Sequence, residues 1–315
     1  MLSIVVTGAH GFIGTNLVDK LLQLSPEELF YDKPVSPRFS SFEKNGDVGF
    51  SVIASDLQRS LTNQNAKRFI GSARYDYQDY ENLVPYLRAL PKKPEFVIHN
   101  GACSSTTETD PTIFAKQNLD YSKALWDYCT QEDIPFIYAS SASVYGDGTL
   151  GFSDKKEHCQ NYTALNLYGK SKLDFDLWVL QQSKTPPSWF GLRYFNVYGP
   201  FESHKGSQAS MVMHGYHQAT RTGKICLFQS NTPEYQNGEQ CRDFIFVDDI
   251  VAITVDLLKL VRQRRLQPNA VLLPENGVFL NIGVGKTETW NHLARCVFEA
   301  LNVPTSAAAI EYIPM

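Results

Sequence analysis

The sequence has no excess of basic charge. Its 315 residues contain 29 Lys and Arg against 33 Asp and Glu, which gives a formal net charge of -4. Such a chain has no broad positive field for a nucleic-acid backbone, although a local basic patch could still receive an anionic small molecule. We therefore expect a small-molecule substrate and no nucleic-acid partner.

Paired cysteines and long apolar runs are also absent. The six cysteines show neither a CxxC pair nor metal-ligand spacing, which favours free thiols in a reducing compartment and no metal site. No apolar run is long enough to span a membrane, and the first 14 residues, MLSIVVTGAHGFIG, lack the positive start of a signal peptide. We expect a cytoplasmic protein with no membrane contact.

Short apolar segments alternate with amphipathic ones, which is typical of an α/β fold with a doubly wound parallel sheet. The expected strands are SIVVTG, ELFYD, FVIHNGA, FIYASSASVYG and WFGLRYFNVYG, and the expected helices cover residues 11–24, 121–129 and 167–182. The polar stretch between Asp32 and Tyr75 is longer than a usual connection and is interpreted in part as an insertion.

The alternation fails after Gly199, which predicts a second, smaller lobe. We assign residues 1–195 plus 242–285 to a Rossmann-like dinucleotide-binding domain, and residues 196–241 plus 286–315 to a substrate-binding lobe. The last segment, AIEYIPM, predicts a strand that would leave one flank of this lobe uncovered. We therefore expect that the lobe is incomplete at its C-terminal end.

A glycine-rich turn opens the chain. Gly8, Gly11 and Gly14 lie between a strand and an amphipathic helix, where glycines let the backbone approach a pyrophosphate at a helix N-terminus. Asp32 ends the expected second strand and could bind a ribose hydroxyl, as in NAD sites, while Lys33 and Arg38 could hold the 2′-phosphate of NADP. Spacing alone leaves NAD and NADP open.

A Tyr-x-x-x-Lys pair follows a strand that ends in serine. Tyr168 and Lys172 lie one turn apart at the start of a helix, and Ser141 ends the strand upstream. Together with the Gly-x-x-Gly-x-x-Gly turn, these stretches resemble the extended short-chain dehydrogenase/reductase family. The resemblance implies that Lys172 lowers the pKa of the Tyr168 phenol and holds the cofactor ribose, that Tyr168 exchanges the substrate proton, and that Ser141 binds the reacting oxygen.

Within this family the chain is most similar to the epimerases of ADP-heptose. The similar stretches are residues 101–110, 134–148, 193–210 and 241–249. The resemblance implies conversion of ADP-D-glycero-β-D-manno-heptose to its L-glycero epimer by oxidation at C6 and reduction on the opposite face. It also implies NADP as cofactor, with NAD as the alternative, and a role in lipopolysaccharide inner-core heptose synthesis. We expect a homo-oligomer.

Epimerisation at a carbinol carbon predicts two acid/base groups. The hydroxyl oxygen occupies different positions in the two epimers, so one group cannot serve both with good hydrogen-bond geometry. Tyr168 would serve one epimer, and Lys205, in the segment HKG, matches the lysine that the resemblance assigns to the other. The alternative is a loop lysine that only neutralises phosphate.

The resemblance also implies a set of ligand contacts. The expected cofactor residues are Gly8, Gly11, Phe12, Ile13, Gly14, Asp32, Lys33, Arg38, Asn100, Gly101, Ala102, Cys103, Ser104, Gln117, Asn118, Tyr168, Lys172, Val197 and Lys205. The expected substrate residues are Ser141, Asn196, Ser207, His214, Phe228, Gln229, Ser230 and Arg242.

Two of these positions differ from the family pattern, and His214 has a second histidine one turn away. Gln117 and Asn100 depart from the family, which has Asn and Glu there, and the departures put these individual contacts in doubt. His214 and His217 lie one turn apart without an apparent third ligand, so we expect no metal.

Three rival functions remain. A 4,6-dehydratase of the same family uses an Asp-Glu pair after the catalytic hydroxyl residue, where this chain has Ala142 and Ser143. A UDP-sugar 4-epimerase would not require the HKG segment. A dinucleotide-sensing module that has lost catalysis would need only the glycine turn, so the presence of Ser141, Tyr168 and Lys172 argues against it.

Overall fold

The computed structural model describes residues 2–30, 49–266, 277–304 and 309–314. The chain divides into two compact units. The first comprises Met1–Tyr194 and Asp248–Asn281, and the second comprises Phe195–Val247 and Ile282–Met315.

The described residues form strands and helices that alternate along most of the chain. The strands are β1 (Leu2–Thr7), β2 (Phe50–Asp56), β3 (Tyr75–Asp79), β4 (Phe96–His99), β5 (Phe136–Ser141), β6 (Trp189–Tyr194), β7 (Asn196–Tyr198), β8 (Lys224–Phe228), β9 (Cys241–Phe246), β10 (Val278–Ile282), β11 (Thr287–Thr289) and β12 (Ala309–Ile313). The α-helices are α1 (Phe12–Gln23), α2 (Pro26–Phe30), α3 (Gln64–Lys67), α4 (Leu83–Ala89), α5 (Pro111–Phe114), α6 (Tyr121–Gln131), α7 (Leu167–Leu180), α8 (Met211–Thr222), α9 (Val247–Leu266) and α10 (Trp290–Ala300).

Five shorter helical segments complete the description. A π-helical turn at Ala115–Asp120 joins α5 to α6. The 3-10 segments are Gln58–Thr62, Ala142–Tyr145, Lys156–Asn161 and Ser203–Gln208.

The first unit is built on a seven-stranded sheet with the order β10-β6-β5-β4-β1-β2-β3. The strands from β6 to β3 all pair in parallel. Ile4, Val5 and Val6 of β1 are fully buried, as are Val97 and Ile98 of β4, because helices cover both faces of such a sheet. The α/β class with a doubly wound parallel sheet is confirmed.

The second unit contains two small sheets. In one, β9 lies between β7 and β11, parallel to the former and antiparallel to the latter. In the other, β8 pairs in parallel with β12, and Ile225 and Leu227 of β8 pack with Phe298 of α10. Because β9 pairs with β7, residues 242–247 belong to this unit. Residues 195 and 282–285 also belong to it, and the sequence-based boundary assigned all of them to the larger domain.

The second strand lies elsewhere than the sequence predicted. Instead of a strand, the ELF of ELFYD belongs to α2, which begins with a capping box: Glu28 N donates to Ser25 Oγ (3.2 Å) and Ser25 N donates to the Glu28 carboxylate (2.8 Å). The strand that pairs with β1 is Phe50–Asp56. The residue that ends the second strand is therefore Asp56, and Asp32, Lys33 and Arg38 lie outside the described residues.

The three helices expected from the sequence agree with α1, α6 and α7 to within two residues at each end. None of the helices in the described ranges is long and apolar enough to cross a membrane.

Candidate active site

The turn between β1 and α1 requires its glycines. Gly8 has a φ of +64°, and a Cβ there would lie 2.7 Å from Gly101 N. A Cβ on Gly14 would lie 2.0 Å from Gly8 O, and one on Gly101 would lie 2.9 Å from Gly8 N. Real Cβ atoms do not approach other atoms so closely, so the turn and the loop after β4 can meet only because these residues lack side chains.

Helix α1 begins at this turn without a side-chain cap. Gly11 is its N-cap residue, and its first turn contains no acidic residue. The first N–H groups of a helix have no partner within the helix and carry a partial positive charge, so they suit an anion such as a pyrophosphate. Phe12 is buried at this position and Ile13 is partly exposed. The turn therefore fits the phosphates of a dinucleotide.

Asp56, which sequence reasoning missed, ends β2 beside the turn. Its carboxylate accepts the backbone N–H of His10 at 2.9 Å and that of Leu57 at 2.8 Å. An acidic residue at the end of the second strand is the usual partner of a ribose 2′-hydroxyl in this fold. The run SVIASD, apolar and ending in Asp, was the sequence signal that could have identified it.

The loop after β4 is fixed by the π-helical turn. Cys103 N donates to Asn118 Oδ1 at 2.7 Å, and Asn118 Nδ2 donates to Cys103 O at 3.0 Å. Asn118 is buried, whereas its neighbour Gln117 is partly exposed. The residues expected at the cofactor, Asn100, Gly101, Ala102, Cys103 and Ser104, form this loop.

One side chain of this loop is suited to a ligand. Both polar atoms of the Asn100 carboxamide are buried, and they have no hydrogen-bond partner within the described part of the chain. A buried amide without a partner is costly. A bound molecule that bonds to Asn100 would remove this cost.

A buried histidine at the end of β4 joins β1 to the start of α6. His99 contacts Thr7 Oγ1 through Nδ1 (2.6 Å) and Ser122 Oγ through Nε2 (2.8 Å). Ser122 Oγ donates its only proton to Asn118 O (2.5 Å), so His99 Nε2 carries a proton and Nδ1 accepts from Thr7. Burial lowers the pKa of His99 to about 3. The neutral ring thus holds the loop that contains Asn100.

The proposed catalytic residues of the first unit meet at the end of β5. Ser141 is the last residue of β5, and its Oγ accepts the backbone N–H of Ser143 (3.1 Å) and donates to Ser143 Oγ (3.0 Å). Helix α7 is capped by Asn166, whose Oδ1 accepts Gly169 N at 2.7 Å. This cap places Tyr168 in the first turn of the helix.

Burial changes the pKa of both residues of the Tyr-x-x-x-Lys pair. The pKa of Tyr168 is raised by burial, and its hydrogen bond with Ser141 acts in the opposite direction. The pKa of Lys172 is lowered by burial to about 8, with Asp176 acting in the opposite direction. Lys172 Nζ donates to Ala139 O at 2.7 Å. The net shift of the Tyr168 pKa is upward because burial is the largest contribution.

A buried ion pair anchors α7 to the sheet. The fully buried Arg193 of β6 lies 3.0 Å from the equally buried Asp176 of α7. The Asp176 carboxylate also accepts hydrogen bonds from Tyr138 OH (2.9 Å) and Ser140 Oγ (3.0 Å) of β5. Asp176 lies one turn after Lys172, so this network fixes the face of α7 that carries Lys172 and the strand that ends in Ser141.

Lys205 lies in a closed loop of the second unit. The buried Glu202 carboxylate accepts hydrogen bonds from Gly199 N (3.3 Å), Ser210 N (2.5 Å) and Ser210 Oγ (2.7 Å). Lys205 N in turn donates to Glu202 O at 2.9 Å. Burial lowers the pKa of Lys205, and the charge of Glu202 opposes this shift.

The expected substrate residues of the second unit fall at three places. Ser207 follows Lys205, and its carbonyl oxygen contacts His214 Nε2 of α8 at 3.3 Å. Asn196 lies on β7 and Arg242 on the adjacent β9; Asn196 Nδ2 donates to Asp243 O at 3.1 Å. The remaining positions, Phe228, Gln229 and Ser230, lie at the end of β8. Val197, which was expected at the cofactor, lies on β7 and pairs with β9.

Metal binding has no structural support at the two histidines of α8. His214 and His217 border a groove of about 390 Å³ that is also lined by Gln218, Arg221 and Thr222. Within residues 2–30, 49–266, 277–304 and 309–314, no three His, Cys, Asp or Glu side chains form a group that could hold a metal ion.

The sheet order, the glycine turn after β1, the serine that ends β5 and the tyrosine and lysine of α7 define a class: Rossmann-type dinucleotide-binding proteins with a Ser-Tyr-Lys site. The model of the NAD dependent epimerase/dehydratase family matches residues 4–268. The chain belongs to this family.

Relatives of known name cover nearly the whole chain. It is 36% identical over 301 residues to the ADP-L-glycero-D-manno-heptose-6-epimerase of Fusobacterium nucleatum, covering 94% of this chain and 79% of the relative. It is also 36% identical over 313 residues to the protein of the same name from Nitratidesulfovibrio vulgaris, covering 99% of this chain and 84% of the relative.

Solved structures share the fold. The crystal structure of ADP-L-glycero-D-manno-heptose-6-epimerase from Helicobacter pylori superposes with a TM-score of 0.71 at 25% identity, over 99% of this chain and 85% of that chain. A UDP-glucose 4-epimerase from Thermotoga maritima gives a TM-score of 0.68 at 23% identity, over 99% of this chain and 86% of that chain. The fold therefore does not distinguish between members of the family.

Proposed function

We propose that the protein is an epimerase that inverts C6 of ADP-D-glycero-β-D-manno-heptose to give the L-glycero epimer. The relatives named above, at 36% identity, support this substrate. The observation that carries the proposal is Lys205, a lysine of lowered pKa in a loop closed by Glu202. A simple dehydrogenase needs one acid/base, whereas a second is expected where the hydroxyl oxygen occupies different positions in the two epimers, out of reach of one group.

The residues divide the proton transfers between them. A pyridine dinucleotide held at the glycine turn and Asp56 would supply the redox chemistry, which is reversible hydride transfer at C6. Tyr168 takes or gives the hydroxyl proton of one epimer, while Ser141 Oγ, which donates to Ser143 Oγ in the structure, redirects its hydrogen bond to the same substrate oxygen. Lys205 takes or gives the proton of the other epimer. One proton and one hydride leave and return, so the net reaction consumes nothing.

The nature of Ser143 supports epimerisation over dehydration. The sequence places Ala142 and Ser143 where a 4,6-dehydratase has an Asp-Glu pair, and in the structure they begin a 3-10 turn in which Ser143 bonds to Ser141. Neither side chain can act as the carboxylate base that elimination requires. A nucleotide-sugar epimerase with another substrate is the remaining alternative.

We propose NADP as the dinucleotide, as the resemblance implies. Lys33 and Arg38, the cations named from the sequence, lie outside the described residues. Arg59, which follows Asp56 by three residues and is exposed, could hold a 2′-phosphate. The two backbone N–H groups that bond to Asp56 offset part of its charge. Denaturing the purified protein and identifying any released nucleotide by chromatography would test this, and release of NAD alone would refute it.

Location and pathway follow from the same proposal. All six cysteines are free thiols in the structure, which supports a reducing compartment, and we propose the cytoplasm. The product would serve the inner-core heptose of lipopolysaccharide. The homo-oligomer remains an expectation.

The direct test uses two variants. Tyr168→Phe and Lys205→Met should each reduce epimerisation by about a hundred to ten thousand-fold, the usual contribution of one acid/base group. The assay follows purified ADP-D-glycero-β-D-manno-heptose by proton NMR, with circular dichroism to verify the fold. Lys170→Met, which removes an exposed lysine of the same helix as Tyr168, is the control and should retain full activity. Near-normal turnover by the Lys205→Met variant would contradict the role of Lys205 as the second acid/base group.

A further inference from the structure

An unusual residue occupies the glycine-rich turn. His10 lies between Gly8 and Gly11, and its side chain is almost fully buried. Its Nδ1 lies 2.6 Å from Ser60 Oγ, and its Nε2 lies 2.5 Å from Tyr75 OH. Its ring stacks on that of Tyr77, with 5.4 Å between centroids. The imidazole thus joins the turn after β1 to the segment after β2 and to β3.

The backbone of His10 contacts the same region. Its N–H donates to Asp56 Oδ2 at 2.9 Å, and its carbonyl oxygen accepts from Asn65 Nδ2 at 3.2 Å and from Asn63 Nδ2 at 3.4 Å. All four polar atoms of His10 therefore bond to residues between Asp56 and Tyr75, the part of the chain that follows β2.

The hydrogen bonds specify one state of the ring. Ser60 Oγ donates its only proton to Leu57 O at 2.6 Å, so His10 Nδ1 must donate to Ser60 Oγ. The neutral ring then accepts the Tyr75 hydroxyl proton at Nε2. Burial lowers the pKa of His10, while Asp56 acts in the opposite direction. Ser60 and Tyr75 are thus satisfied by a neutral imidazole protonated on Nδ1, while of the other groups that face the ring Tyr77 stacks on it and the Asp56 carboxylate bonds to backbone N–H groups.

We propose that His10 is a positioning residue that locks Asp56 and the following 3-10 segment against the glycine turn, so that the adenosine half of the dinucleotide meets a preformed site. The inference rests on the proposed dinucleotide binding. In this fold the pyrophosphate lies at the glycine turn and the adenosine ribose at the end of the second strand. His10 bridges these two subsites; loss of its side chain removes the bonds to Ser60 and Tyr75 and leaves only the backbone bonds, so the two subsites stay present but are held less firmly relative to each other.

The positioning effect of His10 concerns only the adenosine half of the cofactor. The nicotinamide half lies toward Tyr168 and Lys172 in this class of protein, whereas the hydrogen bonds of His10 described above all go to residues 56–75, outside β5 and α7. A merely structural histidine would, when removed, weaken the binding of both halves or neither. A positioning residue predicts a selective effect.

The experiment measures fragment binding by isothermal titration calorimetry below the unfolding transition. We compare ADP-ribose, which contains the adenosine half and the pyrophosphate, with nicotinamide mononucleotide. His10→Ala should weaken ADP-ribose binding about tenfold, the order expected when one or two hydrogen bonds no longer hold a site in place. Nicotinamide mononucleotide should bind to this variant as it does to the wild type.

Two further variants test the positioning role of His10. Tyr75→Phe removes only the bond at Nε2 and should weaken ADP-ribose binding in the same direction but less, which keeps the test valid if His10→Ala does not fold. Tyr86→Phe is the matched control. Tyr86 OH of α4 bonds to Asp76 of β3, the residue next to Tyr75, at 2.6 Å. This variant should bind both fragments normally.

The outcomes separate the inference from the function it rests on. Unchanged ADP-ribose affinity in His10→Ala and Tyr75→Phe, or an equal loss for both fragments, would overturn the positioning role while leaving the epimerase intact. If the wild type bound neither ADP-ribose nor a pyridine dinucleotide, the proposed function itself would fail.

Discussion

Asp56 is the residue at which the structure changes the interpretation of cofactor recognition. It ends the strand that pairs with β1 and accepts two backbone N–H groups beside the glycine turn. The sequence pointed instead to Asp32, because ELFYD was the first apolar segment after α1. The capping box of Ser25 and Glu28 is a local signal that indicates a helix there.

The choice between the two dinucleotides should depend on a matched pair of residues. Asp56→Asn removes a charge that repels a 2′-phosphate and weakens the bond to a 2′-hydroxyl, so the ratio of the NAD to the NADP dissociation constant should rise about tenfold. Arg59→Ala should lower the same ratio. Fluorescence titration with both dinucleotides measures these ratios, and Asp79→Asn, at the end of the next strand, should leave the ratio unchanged. A fall of the ratio in Asp56→Asn, or a rise in Arg59→Ala, would show that the 2′-position of the bound dinucleotide lies elsewhere.

The lowered pKa of Lys172 predicts that cofactor binding depends on pH. Burial lowers its pKa to about 8, and the proposed role needs the ammonium form to donate to the cofactor ribose. The protonated fraction therefore falls as the pH rises through about 8, and dinucleotide affinity should decrease by up to about tenfold per pH unit above that value. Titrations from pH 7 to 9.5 measure the effect.

Lys172→Met provides the control for this titration. It should bind the dinucleotide more weakly and show a flat profile over the same pH range. A wild-type affinity that stays constant up to pH 9.5 would contradict a role for the ammonium of Lys172.

Among the elements, α7 is held to β5 and β6 by the buried carboxylate of Asp176. Removing Asp176 leaves Arg193 without a counter-ion and Tyr138 and Ser140 without an acceptor. Asp176→Ala should therefore lower the free energy of unfolding by about 3–5 kcal/mol. Urea titration gives this value, and Asp174→Ala, which removes an exposed ion pair of the same helix with Lys170, should change it by less than about 1 kcal/mol.

The double variant checks the cause. Asp176→Leu with Arg193→Met removes both charges, and it should be less destabilised than the sum of the two single variants, since no charge is left buried alone. Additive effects would mean that the two side chains stabilise the unit independently.

The sequence predicts some elements better than others for physical reasons. Helices α1, α6 and α7 have long amphipathic patterns that set them apart from strands. A five-residue segment such as ELFYD carries too little pattern to distinguish a strand from a helical turn. The Tyr168 and Lys172 pair is local in sequence and was identified, whereas Glu202, Asp176 and His10 act through contacts that only folding brings together.

At the scale of the whole molecule, the order of elements determined the fold class. Alternating strands and helices with a glycine turn lead to a parallel sheet, and the seven-stranded order confirms it. The boundary of the second unit could not be predicted in detail, because β9 looks from its sequence like one more strand of the large sheet. Its pairing with β7 and β11 depends on tertiary contacts.

The central claim is that C6 is inverted by removal and return of one hydride. The most direct measurement is conversion of ADP-D-glycero-β-D-manno-heptose in D2O, followed by NMR and mass spectrometry of the product. We expect the L-glycero epimer with protium retained at C6, because the hydride never exchanges with solvent while the hydroxyl proton does. Deuterium at C6 would indicate removal of a proton instead of a hydride and would contradict the account, as would a product of unchanged configuration.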